Sequence, residues 1–411
     1  MVKSDILAGL DIGSGKITCV LATHEPKDDL VKVLSASCVP CKGVKGGVVV
    51  DIPNAANSVR AAIEEAEEKI NEIVGEVYLG IRGYHIESFN NRGAYNIART
   101  DKEITADDVA SVIDNAKAIK ITAEREILHI VPQGFSLDKQ KGVPNPVGME
   151  GSLLEVNVHI VISASSHLNN LVKTIGQAGF KVSESVYNLL GLGEIVVTPE
   201  EKDLGCLLID IGGQTTSVGI YYDGTLQFSK EIPIGGDYIT RDIAYGLGTA
   251  MRTAREIKEK YGAAISSLVE DEMITVTSLD RRTQREIRPR DLLDFIQPRV
   301  EEIFSKIDHA LQTSGYSDLC RNGAILTGGC SLLKGMPEAC QQVLDLQQAR
   351  MGYPAAEIVD CPQEYMTQEY LTAIGLACYP FFKNSYTEYS TSHKSPLGRT
   401  VLRWFRDLLN A

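Results

Sequence analysis

The chain has 411 residues, 44% of them hydrophobic and 23% charged, with 41 basic and 54 acidic side chains giving a net charge of -13. That length suits two or more domains, and the acidic balance argues against coating nucleic acid by bulk electrostatics, so an anionic partner must meet a local patch. Nine scattered cysteines, and an opening Met1-Val-Lys-Ser-Asp5 that leads straight into a strand, give a reducing, cytosolic profile without a signal peptide; no run of about 18 or more apolar residues is there to span a membrane.

Residues 6–11 and 16–23 alternate around a glycine turn as a β-hairpin, and 30–39 continues the sheet. The turn reads Asp11-Ile-Gly13-Ser14-Gly15-Lys16. Its glycines let backbone N–H groups approach an anion closely, and the Asp at the strand end can hold a hydrated divalent cation beside it. Taken alone, such a turn also serves any tight hairpin. Cys38-Val-Pro-Cys41 has redox or zinc spacing but no second Cys pair or His pair near it, and reads as small thiols at a strand end. Val59, Ile63, Ala66, Ile70 and Ile73 predict a helix over 52–73, followed by a strand over 76–81.

From 84 to 164 the texture changes to a polar segment around Asn90, Asn91 and Arg92, a charged helix near 105–120 and an alternating strand over 154–162, which reads as a small α+β insertion in the first lobe. A helix at 166–176 follows, and 182–197 carries the chain across to a second lobe. That lobe repeats the opening: a strand over 206–211 ends in Asp210, the turn Gly212-Gly213-Gln214-Thr215 follows, and strands over 217–222 and 226–232 return. The leading aspartates are 199 residues apart, as expected of two similar lobes gripping one polyphosphate from both sides. The segment 233–305 is mostly helical in pattern, and a long helix near 292–313 leads to Thr327-Gly328-Gly329-Cys-Ser331. This third turn follows a buried strand, opens a helix, and can lay flat backbone against a nucleoside.

Residues 383–397 are polar, Ser/Thr-rich and aperiodic, and read as a tether. Beyond it, Val401, Leu402, Trp404, Phe405, Leu408 and Leu409 share one helical arc, while Arg399, Arg403 and Arg406 share the other. A basic helix with Trp and Phe on its apolar face fits the surface of an anionic membrane, against the alternative of a helix docked on its own core. One short copy holds weakly, so stable attachment needs several linked copies.

Two Asp-led phosphate turns and a late Thr-Gly-Gly turn resemble the actin, Hsp70 and sugar-kinase superfamily. Ala254-Arg-Glu256-Ile-Lys258, Asp242-Ile-Ala-Tyr-Gly, His129-Ile-Val-Pro-Gln133, Asn145-Pro-Val-Gly148 and the tethered tail narrow the resemblance to the FtsA family of bacterial cell-division proteins. The resemblance implies an α/β, actin-like two-lobed ATPase fold with duplicated mixed sheets, an FtsA-type insertion and a C-terminal amphipathic helix. Its subdomains would be 1A (1–83, 165–200, 361–382), 1C (84–164), 2A (201–232, 306–360) and 2B (233–305), then a linker (383–397) and a membrane-targeting helix (398–411).

The resemblance further implies ATP with Mg²⁺ between the lobes. Gly13, Ser14, Gly15 and Lys16 would face Gly212, Gly213, Gln214 and Thr215 across the phosphates, with Gly235 and Gly236 beside them. Asp11 and Asp210 would hold the metal through water, Glu256 and Lys258 would border the ribose and adenine, and Gly328, Gly329 and Met336 would lie beneath the base. Gln214 departs from the family's usual third glycine. The implied partners are the C-terminal tail of FtsZ, met by Arg299 and Glu302 on 2B, other copies of the chain through 1C, later division proteins, and anionic lipids on the cytoplasmic face of the inner membrane at the septum; nucleic acid is not among them. Relatives place a Glu or Gln at the crossing to orient water, whereas this chain offers Asn188, with Gln214 a second weak catalytic candidate, so slow hydrolysis at most is expected. A pilus-assembly adaptor related to PilM, or a small-molecule kinase of the same superfamily, is the alternative.

Overall fold

In the computed structural model, residues 6–25, 30–270, 272–280 and 282–382 are described. The predicted linker and the arc of Val401, Leu402, Trp404, Phe405, Leu408 and Leu409, with Arg399, Arg403 and Arg406, lie outside the described residues.

Cys206–Ile211, apolar but for Asp210 and buried at every residue, marks a strand covered on both faces, and it lies at the centre of one of two sheets of the same topology. In the first, the order is Lys181–Tyr187, Glu76–Ile81, Ile6–Ile12, Lys16–Glu25, Leu30–Pro40, with Val359–Asp360 added at the last edge. In the second, it is Ala349–Met351, Ala324–Thr327, Cys206–Ile211, Thr216–Tyr222, Thr225–Ile232. The central strand of each pairs antiparallel with the next strand in sequence and parallel with a strand reached by crossover. One apolar core covers the first sheet and takes in Leu208, Tyr221, Leu226 and Ile325 from the second, whose alternate residues, Leu207, Ile209, Val218 and Leu326 among them, lie in a core of their own.

The helices Asn188–Val196 and Leu371–Phe382 cross where Gly191 meets Gly375; a Cβ on Gly375 would stand 2.5 Å from the Gly191 carbonyl oxygen. That crossing fixes the start of the helix carrying Asn188. The insertion is a four-stranded sheet ordered Ile86–Asn96, Leu153–Ala164, Arg125–Leu137, Gln140–Val143, with the helix Ala106–Lys117 packed over a third core. It also rests on the second lobe: Asn90 Nδ2 donates to the Gln227 carbonyl at 3.0 Å, Ser88 Oγ to the Ser229 carbonyl at 2.7 Å and Gln133 Nε2 to the Gln227 carbonyl at 2.9 Å.

Several local expectations change. The polar segment at Asn90 to Arg92 is the middle of a strand, because its polar side chains meet the second lobe and the insertion's own helix. The helix starting at Ile52 stops at Ile70, where Asn71 takes a left-handed cap with φ 55°. The segment 233–305 holds a hairpin, Ile274–Thr277 with Gln284–Ile287, among its helices. After Gly328 the chain makes a 3-10 turn, Gly329–Leu332, and the helix begins only at Met336.

Candidate functional site

The two Asp-led turns close in the same way: Gly13 N–H donates to the Lys16 carbonyl at 2.9 Å, and Gly212 N–H to the Thr215 carbonyl at 2.9 Å. They meet at one cleft, and the side chain between them is Arg82, at the end of the strand Glu76–Ile81. A Cβ on Gly212 would stand 3.0 Å from Arg82 Nη2, and one on Gly13 3.5 Å from it. Arg82 Nη1 donates to Asp210 Oδ2 at 3.1 Å. Burial works against the guanidinium's charge, but the carboxylates of Asp11, Asp210 and Glu231 outweigh it and hold its pKa above the ordinary value. Burial raises the Asp210 pKa, with Arg82 opposing, and pushes Glu231 up to about 7. Glu231 accepts from Tyr187 Oη at 3.0 Å and Gly83 N–H at 3.2 Å. Arg82 was not singled out from the sequence, because one arginine after an apolar run carries no local pattern.

Asn188 Nδ2 donates to Asp11 Oδ1 at 3.1 Å, while its buried Oδ1 has no hydrogen-bond partner among the described residues. Ser14 Oγ accepts from Gly46 N–H at 2.9 Å, so the loop after Pro40 closes over the first turn. Space around Gly15 and Gly329 is open, with nothing within 4 Å of where a Cβ would stand. Lys16 pairs with Glu369 and is mostly exposed. On the second lobe, Gly236 N–H and Asp237 N–H donate to the Gly212 and Gly213 carbonyls at 2.9 and 2.7 Å, which locks Gly235 and Gly236 to the turn. Gln214 Nε2 donates to Asp237 Oδ2 at 3.3 Å. Thr215, which closes the turn, is buried. Lys258 Nζ donates to the Gly236 carbonyl at 3.1 Å, and Glu256 pairs with Arg252 at 2.9 Å on the exposed side of the same helix. Met336 is fully buried in the second core. Gly328 lies against Asp210, whose Oδ1 accepts from Thr327 Oγ1 at 3.3 Å.

Away from the cleft, Arg299 Nε donates to Asp242 Oδ2 at 2.6 Å, and its Nη1 pairs with Glu302. Arg299 and Glu302 line an open groove of about 600 Å³ with Lys230, Glu231, Tyr238, Lys306 and His309.

Solved structures share this fold. The PilM-PilN type IV pilus biogenesis complex matches at a TM-score of 0.66 and 16% identity, over 92% of this chain and 99% of that one. MreB 5 of Spiroplasma citri bound to AMPPNP matches at 0.55 and 11% identity, over 93% of this chain and 97% of that one. By sequence, residues 207–375 match the family described as cell division protein FtsA, and 83–162 the SHS2 domain inserted in FtsA. Cell division protein FtsA of Pseudomonas aeruginosa is 33% identical, with 97% of each chain covered, and that of Escherichia coli K12 is 32% identical over 91% of this chain and 90% of its own. The chain therefore belongs to the FtsA family of actin-like cell-division proteins.

Proposed function

We propose that the chain binds ATP between its lobes, polymerises through its insertion at the cytoplasmic face of the inner membrane, binds the FtsZ C-terminal tail and so ties the ring to the membrane, and recruits later division proteins. The observation that carries the nucleotide reading is the pair of identically closed glycine turns meeting at one cleft, each led by an aspartate. Open space at Gly15 and Gly329 suits phosphate and nucleoside respectively. Asp11 and Asp210 carry the hard carboxylate oxygens that Mg²⁺ takes, so the donor chemistry fits a metal that neutralises phosphate charge.

Hydrolysis is slow in this reading. Asn188 is committed through its amide to Asp11, and the next acidic residue along that helix, Glu194, pairs with Lys202 at 3.0 Å. A carboxylate or Gln aimed at an attacking water is what faster relatives of this mechanism need. An acidic tail in the groove would meet Lys230 and would compete with Asp242 and Glu302 for Arg299 and with Glu302 for Lys306. Membrane attachment rests on the sequence of 398–411.

Co-sedimentation of the full chain with FtsZ and anionic liposomes, with and without ATP, tests this. FtsZ is expected in the liposome pellet only when the chain is present, and deleting 398–411 is expected to abolish its recruitment. Liposome binding that survives the deletion refutes the anchor, and rapid, polymer-independent ATP turnover refutes the slow-hydrolysis reading.

A further inference from the structure

Arg82 is held at both ends. Its carbonyl packs under Gly47, where a Cβ would stand 2.2 Å from the oxygen, and the next N–H, of Gly83, is bonded to Glu231. The guanidinium is buried, with its side chain 14% exposed, yet it donates one hydrogen bond, from Nη1 to Asp210, among the described residues. A guanidinium has five N–H donors in a planar fork matched to phosphate oxygens. Its Nη2 faces both glycine turns. The surrounding charge is acidic, from Asp11, Asp210 and Glu231. A polyphosphate entering there adds further negative charge and needs a cation close by. The other candidate cations are committed, Lys16 to Glu369 and Lys258 to the Gly236 carbonyl.

We propose that Arg82 is a phosphate-binding residue of the cleft, whose unused donors take an oxygen of the bound nucleotide, so that this chain carries its own cation where Asp11 and Asp210 would otherwise depend on a divalent metal. This rests on the nucleotide reading above. It makes binding tolerant of metal removal, and it makes Arg82 responsible for that tolerance. Nη2 can take a phosphate oxygen while Nη1 stays on Asp210, because both glycine turns already lie against Nη2.

The test is equilibrium binding of a fluorescent ATP analogue to the full chain, in Mg²⁺ and in EDTA, for the natural sequence, R82Q and R82K. The ratio of the two dissociation constants within each variant is the readout, which a purely structural loss would not move. The natural chain is expected to weaken by no more than about threefold on chelation, and R82Q by about tenfold or more, as suits one charge-assisted phosphate contact. R82K keeps the charge without the fork and is expected to fall between them. If R82Q fails to fold by circular dichroism, R82K decides on the same ratio: a rise supports the assignment and an unchanged ratio overturns it. Binding by R82Q with the natural ratio overturns the role of Arg82 alone. Tighter binding by R82Q in both buffers also overturns it, by showing that the arginine holds Asp210 against the ligand. Failure of the natural chain to bind in either buffer overturns the nucleotide reading itself.

Discussion

Gly328 and Gly329 are neighbours with opposite expected responses to a single methyl group. Gly328 has φ 87° and ψ 158°, a region that essentially only glycine occupies, so alanine costs about 1–3 kcal/mol in backbone conformation alone. Its Cβ would also stand 2.5 Å from Asp210 Oδ1 and 2.6 Å from the Ile211 carbonyl oxygen, both in the strand that carries the second turn. Forcing those atoms apart adds about 1–3 kcal/mol. Gly328→Ala should therefore lose about 2–6 kcal/mol, a large part of an ordinary domain's stability. Gly329→Ala meets nothing within 4 Å and should leave stability within about 0.5 kcal/mol. Its methyl projects into the space assigned to the nucleoside, so affinity for ATP should fall while the fold stays intact. Urea unfolding followed by circular dichroism reads the first quantity, and the ATP-induced rise in melting temperature reads the second. An unchanged urea midpoint for Gly328→Ala refutes the packing argument, and full ATP stabilisation of Gly329→Ala refutes the placement of the nucleoside.

Asp108 caps the insertion's helix, accepting from Thr105 N–H at 2.7 Å and pairing with Arg99 at 2.5 Å, and Asp108→Ala should cost about 2–3 kcal/mol in urea unfolding. The hydrogen bond from Arg99 holds its pKa at about 2, below the unfolded value, so its contribution is full above about pH 4 and is lost as pH falls toward 2, a dependence that Asp108→Asn should remove. Burial raises Glu231 to about 7, so the folded chain favours its protonated form and that contribution is lost as pH rises from about 4.5 through 7. Glu231→Gln should accordingly melt higher relative to the natural chain at pH 8 than at pH 5, by up to about 3 kcal/mol of stability, and an equal difference at both values would contradict the burial argument. Arg299→Glu breaks the pair with Asp242 and reverses a charge in the groove, so the affinity of an FtsZ tail peptide in fluorescence anisotropy should fall at least about tenfold; unchanged binding would place the tail elsewhere.

The glycine turns were legible because everything that makes them is local: an apolar run, an Asp and glycines within six residues of one another. The duplication of the lobes followed from the repetition of that pattern, and the insertion from the change of texture after residue 83. What stayed hidden depends on distant partners. The strand Ile86–Asn96 reads from the sequence only as a polar segment because its amides, such as Asn90 and Asn91, find carbonyls at Gln227 and Ala116 that no local pattern announces. The strands Ile274–Thr277 and Gln284–Ile287 are each four residues long, too short for a period to show. Arg82 acquires its meaning from Asp210, 128 residues away. Arg299 enters through the resemblance alone, and the fold adds Asp242 and Glu302 as its partners.

The insertion grows from the first lobe but leans on the edge strand of the second, with His159 hydrogen-bonded to Asn90 at 2.6 Å and to Ser229 Oγ at 2.8 Å inside that seam. A turning of one lobe against the other thus has two outcomes: the seam slips, or the insertion swings with it. In the second case the contact with other copies proposed for the insertion would move with the angle between the lobes, and the hydrogen bonds of His159 would be the joint that transmits it.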